Sequence, residues 1–249
     1  MPTRALITVI AALFALTVLA RAPARWLTGA LPAGVACQSP SGSLWNGQCG
    51  QLRFPGGSLQ GVSWTMHAWP LLRGHADLDL RSADARAPGT ARVSLGIGGR
   101  FALQDLRADL PIDSGFLPLF PAGWSGQIQL AMDSVEFTAG RLVSIQGTVT
   151  ARTLAQRDPP MPFGSFELRF SPVAAGAAPG SAPITGVLSD LGGPLAVSGT
   201  LTLRNDNEYE LTGLAEARAQ ASDELAKAVS FLGPSDERGR RPFTLGGTF

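Results

Sequence analysis

The sequence predicts a mainly β protein: an N-terminal transmembrane helix, then an antiparallel β meander with one late α-helix. Three observations predict it. Apolar and polar residues alternate over most of the chain, as strands with one wet face do. Gly (30) and Pro (19) separate these short runs instead of forming one block. An uncharged apolar run, Ala5 to Ala20, stands near the start.

The apolar run near the start is the first element. As a helix it would be about 24 Å long, short for a hydrocarbon core of about 30 Å. Arg4 and Arg21 flank it and Trp26 follows, so we expect these three residues at the membrane interface. The sequence therefore predicts a cytoplasmic tail (1–4), a membrane anchor (5–20) and a tether (21–32).

A cleaved signal peptide is the alternative for this segment. Ala20-Arg21-Ala22 has the small-x-small form of a cleavage site. Arg21 inside the site and Pro23 just after it fit cleavage poorly, which favours a retained, uncleaved segment. With either outcome the rest of the chain crosses the inner membrane, and residues 33–249 are predicted to form a periplasmic β domain.

The two cysteines agree with export. Cys37 and Cys49 are the only cysteines of the chain, and an oxidising periplasm would let them pair. A disulfide across a loop of this size contributes about 3 kcal/mol. Two buried free thiols or a half-built metal site are the alternatives. With only His67 and His75 elsewhere, the cysteines do not make a zinc motif, so we favour the disulfide.

Short alternating runs fill the domain. They predict about ten to fourteen strands in an antiparallel arrangement. In "LQGVSWTMHAW" the alternation assigns Trp64 to one face and Trp69 to the other. Tryptophans 45, 64, 69 and 124 are expected in the core or on a sheet face. The segment "SDELAKAVSFLGP" predicts the helix, with Ser222 as its cap, the stripe Leu225, Val229 and Leu232, and a stop at Gly233-Pro234.

The sequence offers no visible site for chemistry. Charged residues make up 16% of the chain and the net charge is +1, which gives no basic patch for nucleic acid. His67 and His75, with Asp77 and Asp79 nearby, are interpreted as surface residues rather than metal ligands. We predict no catalytic, cofactor-binding or metal-binding residue, no cofactor and no enzymatic activity.

Three stretches carry a resemblance to a known family. They are the short anchor followed by "GSLWNG", the central "LPLFPAGWSGQIQL", and the C-terminal block "LGGPLAVSGTLTLRNDNEYELTGLAEAR" with "LGPSDERGRRPFTLGG". On these residues the chain resembles general secretion pathway protein N, the protein N family of the type II secretion system. It is also similar to the AsmA-like group, whose elongated, curved sheets have an apolar concave face.

The resemblance implies a context for the protein. It implies a single-pass inner-membrane protein with a periplasmic body, whose partners are other type II secretion components and the inner membrane. Acting in assembly or support of export is the expected role. The AsmA-like similarity implies an alternative, binding or transfer of phospholipid or another apolar ligand. The free edge of a sheet is the expected contact surface in the first case, and its apolar face in the second.

Overall fold

A computed structural model describes residues 10, 13–14, 17–29, 31, 34–55, 57–112, 123–171, 183–204 and 208–248. The predicted tail (1–4), including Arg4, and much of the predicted anchor (5–20) lie outside the described residues. Residues 17–20 are helical, and the Arg21 N–H donates to the Thr17 carbonyl at 3.1 Å. Within this described part, no helix combines the length and apolar character that a membrane span requires.

The described residues form one antiparallel sheet of 13 strands, and the strands follow one another across the sheet in chain order. The predicted meander is thereby confirmed. The strands are β1 (Ala36–Gly42), β2 (Asn46–Phe54), β3 (Gly57–His67), β4 (His75–Ser82), β5 (Gly89–Gly96), β6 (Arg100–Pro111), β7 (Trp124–Thr138), β8 (Arg141–Arg157), β9 (Pro160–Phe170), β10 (Ile184–Asp190), β11 (Leu195–Leu203), β12 (Glu208–Ala217) and β13 (Arg241–Thr248).

Bulges keep the apolar residues on one side of the long central strands. In β6, Leu103 pairs with Val93 and Val135, while Leu106 pairs with Met132. Strict alternation would put residues 103 and 106 on opposite faces. Asp105 lies between them with φ of 50°, and the register against β5 shifts at this point. The extra residue therefore returns the apolar pattern to its original face.

Two apolar clusters lie along this face. The first contains Ala24, Cys49, Val62 and Trp64, near the beginning of the sheet. The second centres on Met132, Phe170 and Ile184, each of which is 6% exposed, and reaches from β6 to β11.

The sheet is bent near the second cluster. Cα atoms of β8 and β10, and likewise of β9 and β11, approach within 8 Å. Strands two positions apart in a flat sheet are separated by about 9.6 Å. The sheet is therefore not flat where the second cluster is buried.

The helices are short. Apart from the helical residues near the N-terminus, those of the described chain are α1 (Arg25–Thr28), α2 (Ala68–Leu71) and α3 (Asp223–Ser230). The predicted late helix is confirmed as α3, where the Ser222 hydroxyl accepts from the Leu225 N–H at 3.3 Å. Leu225 and Val229 are buried, and α3 contacts β12 and β9. Leu232 is 41% exposed, so the predicted apolar stripe ends at Val229, one residue before the helix itself ends.

Candidate functional site

The chain leaves the N-terminal helical residues and joins the first edge of the sheet at one compact junction. Pro23 forms an isolated antiparallel bridge with Ser43, and the Ala24 N–H donates to the Gly42 carbonyl at 3.2 Å. Ala22 and Ala24 are 1% and 2% exposed. Because large side chains would not fit there, small residues let the connecting backbone pack directly against β1 and its turn.

Trp45 ties the same junction to the helical residues. Its indole Nε1–H donates to the Leu19 carbonyl at 2.9 Å, which occupies an acceptor near the end of the helical segment. The sequence predicted Trp45 as a core or sheet-face residue, but it lies in the turn between β1 and β2. The sequence does contain a hairpin signal here, the Asn46-Gly47 dipeptide, and the structure places the turn just before it, at residues 43–45.

The predicted interface residues Arg21 and Trp26 lie beside this junction. Arg21 is exposed, and Trp26 is 52% exposed in α1, which contacts β1. Both side chains are accessible next to the point where the helical residues meet the sheet. Their contact with a membrane stays a prediction.

The Cys37 and Cys49 side chains are joined in a disulfide that links β1 to β2, with their Cα atoms 5.7 Å apart. Cys49 is 2% exposed and belongs to the first apolar cluster together with Ala24 and Trp64. The bond therefore fastens the edge strand β1 at the place where the N-terminal junction packs. Its oxidation in the cell stays a prediction.

Charged residues form a ladder across the polar face. His67 Nε2 and Asp79 Oδ2 lie 2.7 Å apart, and Arg92 Nε donates to Asp79 Oδ1 at 2.9 Å. Hydrogen bonds from His67 and then Arg92 lower the pKa of the Asp79 carboxyl below its ordinary value of 3.8. Asp79 is about two-fifths exposed, so this ladder is a solvated feature.

The second histidine stands beside a second carboxylate. His75 Nε2 lies 3.8 Å from Asp77 Oδ2, while Ser94 Oγ donates to Asp77 Oδ1 at 2.7 Å. Nowhere in the described part of the chain do three His, Cys, Asp or Glu residues come together as metal ligands. His67 is exposed, and His75, Asp77 and Asp79 are partly exposed. Their interpretation as surface groups rather than metal ligands stays a prediction.

Aromatic residues on the apolar face lie over glycines of the neighbouring strand. Phe170 is the direct partner of Gly186, and a Cβ at position 186 would meet its Cε1 at 2.9 Å. The same direct pairing joins Trp64 to Gly47, Phe243 to Gly213 and Tyr209 to Gly247. Each ring covers the backbone that a glycine leaves open. The rings thereby cover the backbone of the apolar face at these four glycines.

The last strand leaves an open edge. β13 pairs with β12 on one side, and no strand of the described sheet pairs with its other side. Leu245 on this strand is 57% exposed and most of the strand is exposed as well. Such an edge presents unpaired backbone donors and acceptors, which can pair with an added strand.

The sequence interpretation of Trp69 as a strand residue is wrong. The alternation placed it on a strand face, but β3 ends at His67 and Trp69 lies in α2, 69% exposed. Pro70 is the physical reason, because proline cannot donate to a strand ladder and fits the first turn of a helix. The sequence contained this signal next to the tryptophan.

These features define a class: a mainly β protein built as one open antiparallel meander, with a tied N-terminal junction and an unpaired edge strand at β13. The protein N family model of the type II secretion system matches residues 33–244. The chain belongs to this family. The predicted resemblance to the family is confirmed.

Two relatives cover most of the chain. The chain is similar to the type II secretion system protein N of Vibrio cholerae serotype O1, with 27% identity over 87% of this chain and 86% of the relative. It is also similar to the protein of that name from Aeromonas hydrophila, with 27% identity over 86% of this chain and 84% of the relative. No solved structure matches the chain significantly.

Proposed function

We propose that this protein is a non-catalytic component of the type II protein secretion system, anchored in the inner membrane by one span with its β domain in the periplasm. It supports assembly of the export apparatus by binding other components of that system. The observation that carries the proposal is the family match over residues 33–244, which covers the sheet almost from end to end.

The N-terminal segment supports the anchored topology. The run Ala5 to Ala20 has no charged residue, and Leu13 and Phe14 within it are 61% and 70% exposed. Exposed apolar side chains on a helix call for an apolar environment. The tie from Trp45 to Leu19 then couples the anchor to the first edge of the sheet, which holds the β domain beside the membrane.

The export of the β domain also fits the cysteines. A disulfide between Cys37 and Cys49 requires an oxidising compartment such as the periplasm. We propose that this bond forms there and stabilises the junction.

The open edge of β13 is the surface that we assign to a partner of the secretion system. Strand addition uses backbone hydrogen bonds for affinity, so it needs no reactive side chain. Gly246, next to Leu245, is exposed and has no side chain to shield this strand. We therefore expect a partner strand to extend the sheet at this edge.

Photocrosslinking in cells tests this assignment. A photoreactive amino acid replaces Leu245 on the edge strand, or Val187 as the control. Val187 is 59% exposed but lies on the interior strand β10. We expect crosslinks to a secretion component from position 245 and none from position 187. Absence of any such product at 245, with normal expression, would contradict the edge assignment.

One observation favours a second candidate function, binding of phospholipid or another apolar ligand. Leu95 and Leu245, both on the apolar face, are 44% and 57% exposed at positions far apart in the sheet. Mass spectrometry of an organic extract from the purified full chain tests this candidate. Stoichiometric lipid would support it, and an empty protein would argue against it.

A further inference from the structure

The turns after β1, β3, β5 and β7 lie at the same end of the sheet, because each follows an odd-numbered strand of an antiparallel meander. We call this the junction end. The N-terminal junction is there, since the connecting backbone contacts Gly42, Ser43 and Trp45 in and before the first of these turns. The end of the sheet that receives the proposed anchor is therefore defined by direct contacts.

The four turns form one continuous row. The Met66 N–H donates to the Trp45 carbonyl at 2.7 Å, next to the second turn. The Ile97 N–H donates to the Gly74 carbonyl at 3.3 Å, and the Ala139 N–H to the Gly99 carbonyl at 3.0 Å. The second, third and fourth turns thus contact one another in order, and the first contacts the end of the strand that leads into the second. At two strands per turn the row is about 30 Å long.

Large apolar side chains project from the second and third turns. We call them the apolar tips: Trp69, Leu72 and Ile97, which are 69%, 78% and 81% exposed. These are among the most exposed large apolar residues of the described chain, and they stand on adjacent turns. Exposed apolar residues that cluster in this way mark a binding surface.

Arginines stand beside the tips. We call them the tip arginines: Arg73 in the second turn, Arg100 after the third and Arg141 after the fourth. All three are exposed. Residues 68–74, 97–100 and 139–141 contain no aspartate or glutamate. The row is therefore cationic and apolar at once, although the whole chain carries a net charge of only +1.

We propose that the junction end lies against an anionic lipid bilayer, with the apolar tips in the headgroup region and the tip arginines on lipid phosphates. This rests on the proposed function, because the bilayer is the one that holds the N-terminal segment. Charge complementarity and continuity with the junction both favour a membrane surface. A tryptophan beside cations is the side-chain composition typical of such an interface.

This contact fixes the orientation of the sheet. A single span with a flexible tether would let the domain tilt freely. A second contact through the row of turns holds the strands at a steep angle to the membrane plane. The open edge of β13 is then presented at a constant height above the bilayer.

Depth-dependent quenching tests the proposal on the full-length chain reconstituted in vesicles of phosphatidylethanolamine and phosphatidylglycerol. A cysteine replaces Leu72 or Ile97 and carries an environment-sensitive fluorophore; labelling uses no reductant. Leu191→Cys is the matched control, since Leu191 is 54% exposed in a turn at the opposite end of the sheet. Flotation with the vesicles reports on the proposed anchor separately.

We expect nitroxide lipids to quench the fluorophore at 72 and 97 several-fold more strongly than at 191. Replacing the tip arginines by glutamine should lower the equilibrium constant for docking of the junction end on the bilayer by about fivefold for each arginine at low salt. Vesicles that carry the chain but quench all three positions equally would overturn the proposal and leave the anchor standing. A chain that fails to float would overturn both.

Discussion

Phe170 and Gly186 are direct cross-strand partners, and the phenyl ring of Phe170 occupies the space that a side chain at position 186 would need. Phe170 is only 6% exposed, although it lies on a face of a single sheet. The pair shows how an open meander buries large apolar residues. A missing side chain on one strand accommodates a large one on the next.

Substituting Gly186 by alanine should destabilise the protein by about 1–3 kcal/mol, because the added Cβ would overpack the ring of Phe170. Gly246→Ala is the control: its Cβ would come no closer than 3.4 Å to the backbone of Tyr209, and its backbone φ is ordinary. Urea unfolding of both variants measures the difference. Equal stability of the two variants would refute the pairing argument.

The disulfide should stabilise the first edge of the sheet. Replacing Cys37 and Cys49 together by serine removes a cross-link over 12 residues, and we expect a loss of about 3 kcal/mol in the free energy of unfolding. Reducing the disulfide in the wild-type protein should lower the free energy of unfolding by a similar amount. If neither treatment lowers stability, the bond contributes nothing to the fold.

Asp84 should make stability depend on pH. Its carboxylate is buried and accepts from the Arg86 N–H at 2.9 Å and the Gln60 N–H at 3.0 Å. The hydrogen bond from Arg86, followed by that from Gln60, lowers its pKa below 3.8 against the opposing effect of burial. Because this pKa is lower in the folded than in the unfolded protein, Asp84 stabilises the fold at pH values above the ordinary aspartate pKa. This stabilisation is lost as the pH falls through the folded-state pKa.

Two variants separate the contribution of the hydrogen bonds that Asp84 accepts from the contribution of its charge. Asp84→Ala removes the acceptor of two backbone N–H groups and should cost about 1–3 kcal/mol at neutral pH. Asp84→Asn keeps one acceptor oxygen but does not titrate. The difference in the free energy of unfolding between wild type and Asp84→Asn should shrink as the pH drops below about 4. A difference that stays constant with pH would exclude a role for the charge.

Trp45 should control how firmly the junction is held. Trp45→Phe keeps a ring but loses the donor to the Leu19 carbonyl, so we expect faster trypsin cleavage after Arg21. Both variants are digested in detergent, without a bilayer, and Trp69→Phe is the control because Trp69 is an exposed ring outside the junction. Cleavage rates that are the same for both variants would show that the hydrogen bond does not hold the junction.

Much of the fold could be predicted from the sequence, because period-two alternation and turn residues are local signals. The late helix was predicted from Ser222 and the stripe beginning at Leu225. The bulge at Asp105 could not be predicted from the sequence, since an interrupted alternation also indicates a strand end. The row of turns at the junction end depends on the pairing of distant strands, which no local pattern specifies.

The candidate site was predicted less completely than the fold. Cys37 and Cys49 stood out by their number, but the burial of Ala22 and Ala24 follows from contacts with a turn about 20 residues away. The aromatic and glycine pairs were equally hidden, because register decides which residue faces which glycine. Trp69 was misplaced although Pro70 signalled the end of the strand.

Secretion by a clean deletion strain, with a complemented control, tests the central claim most directly. The measurement is the fraction of a type II substrate enzyme in the medium and in the periplasm. The account predicts that the enzyme accumulates in the periplasm of the deletion strain and returns to the medium on complementation. Unchanged secretion in the deletion strain would contradict the claim that this protein works in the export apparatus.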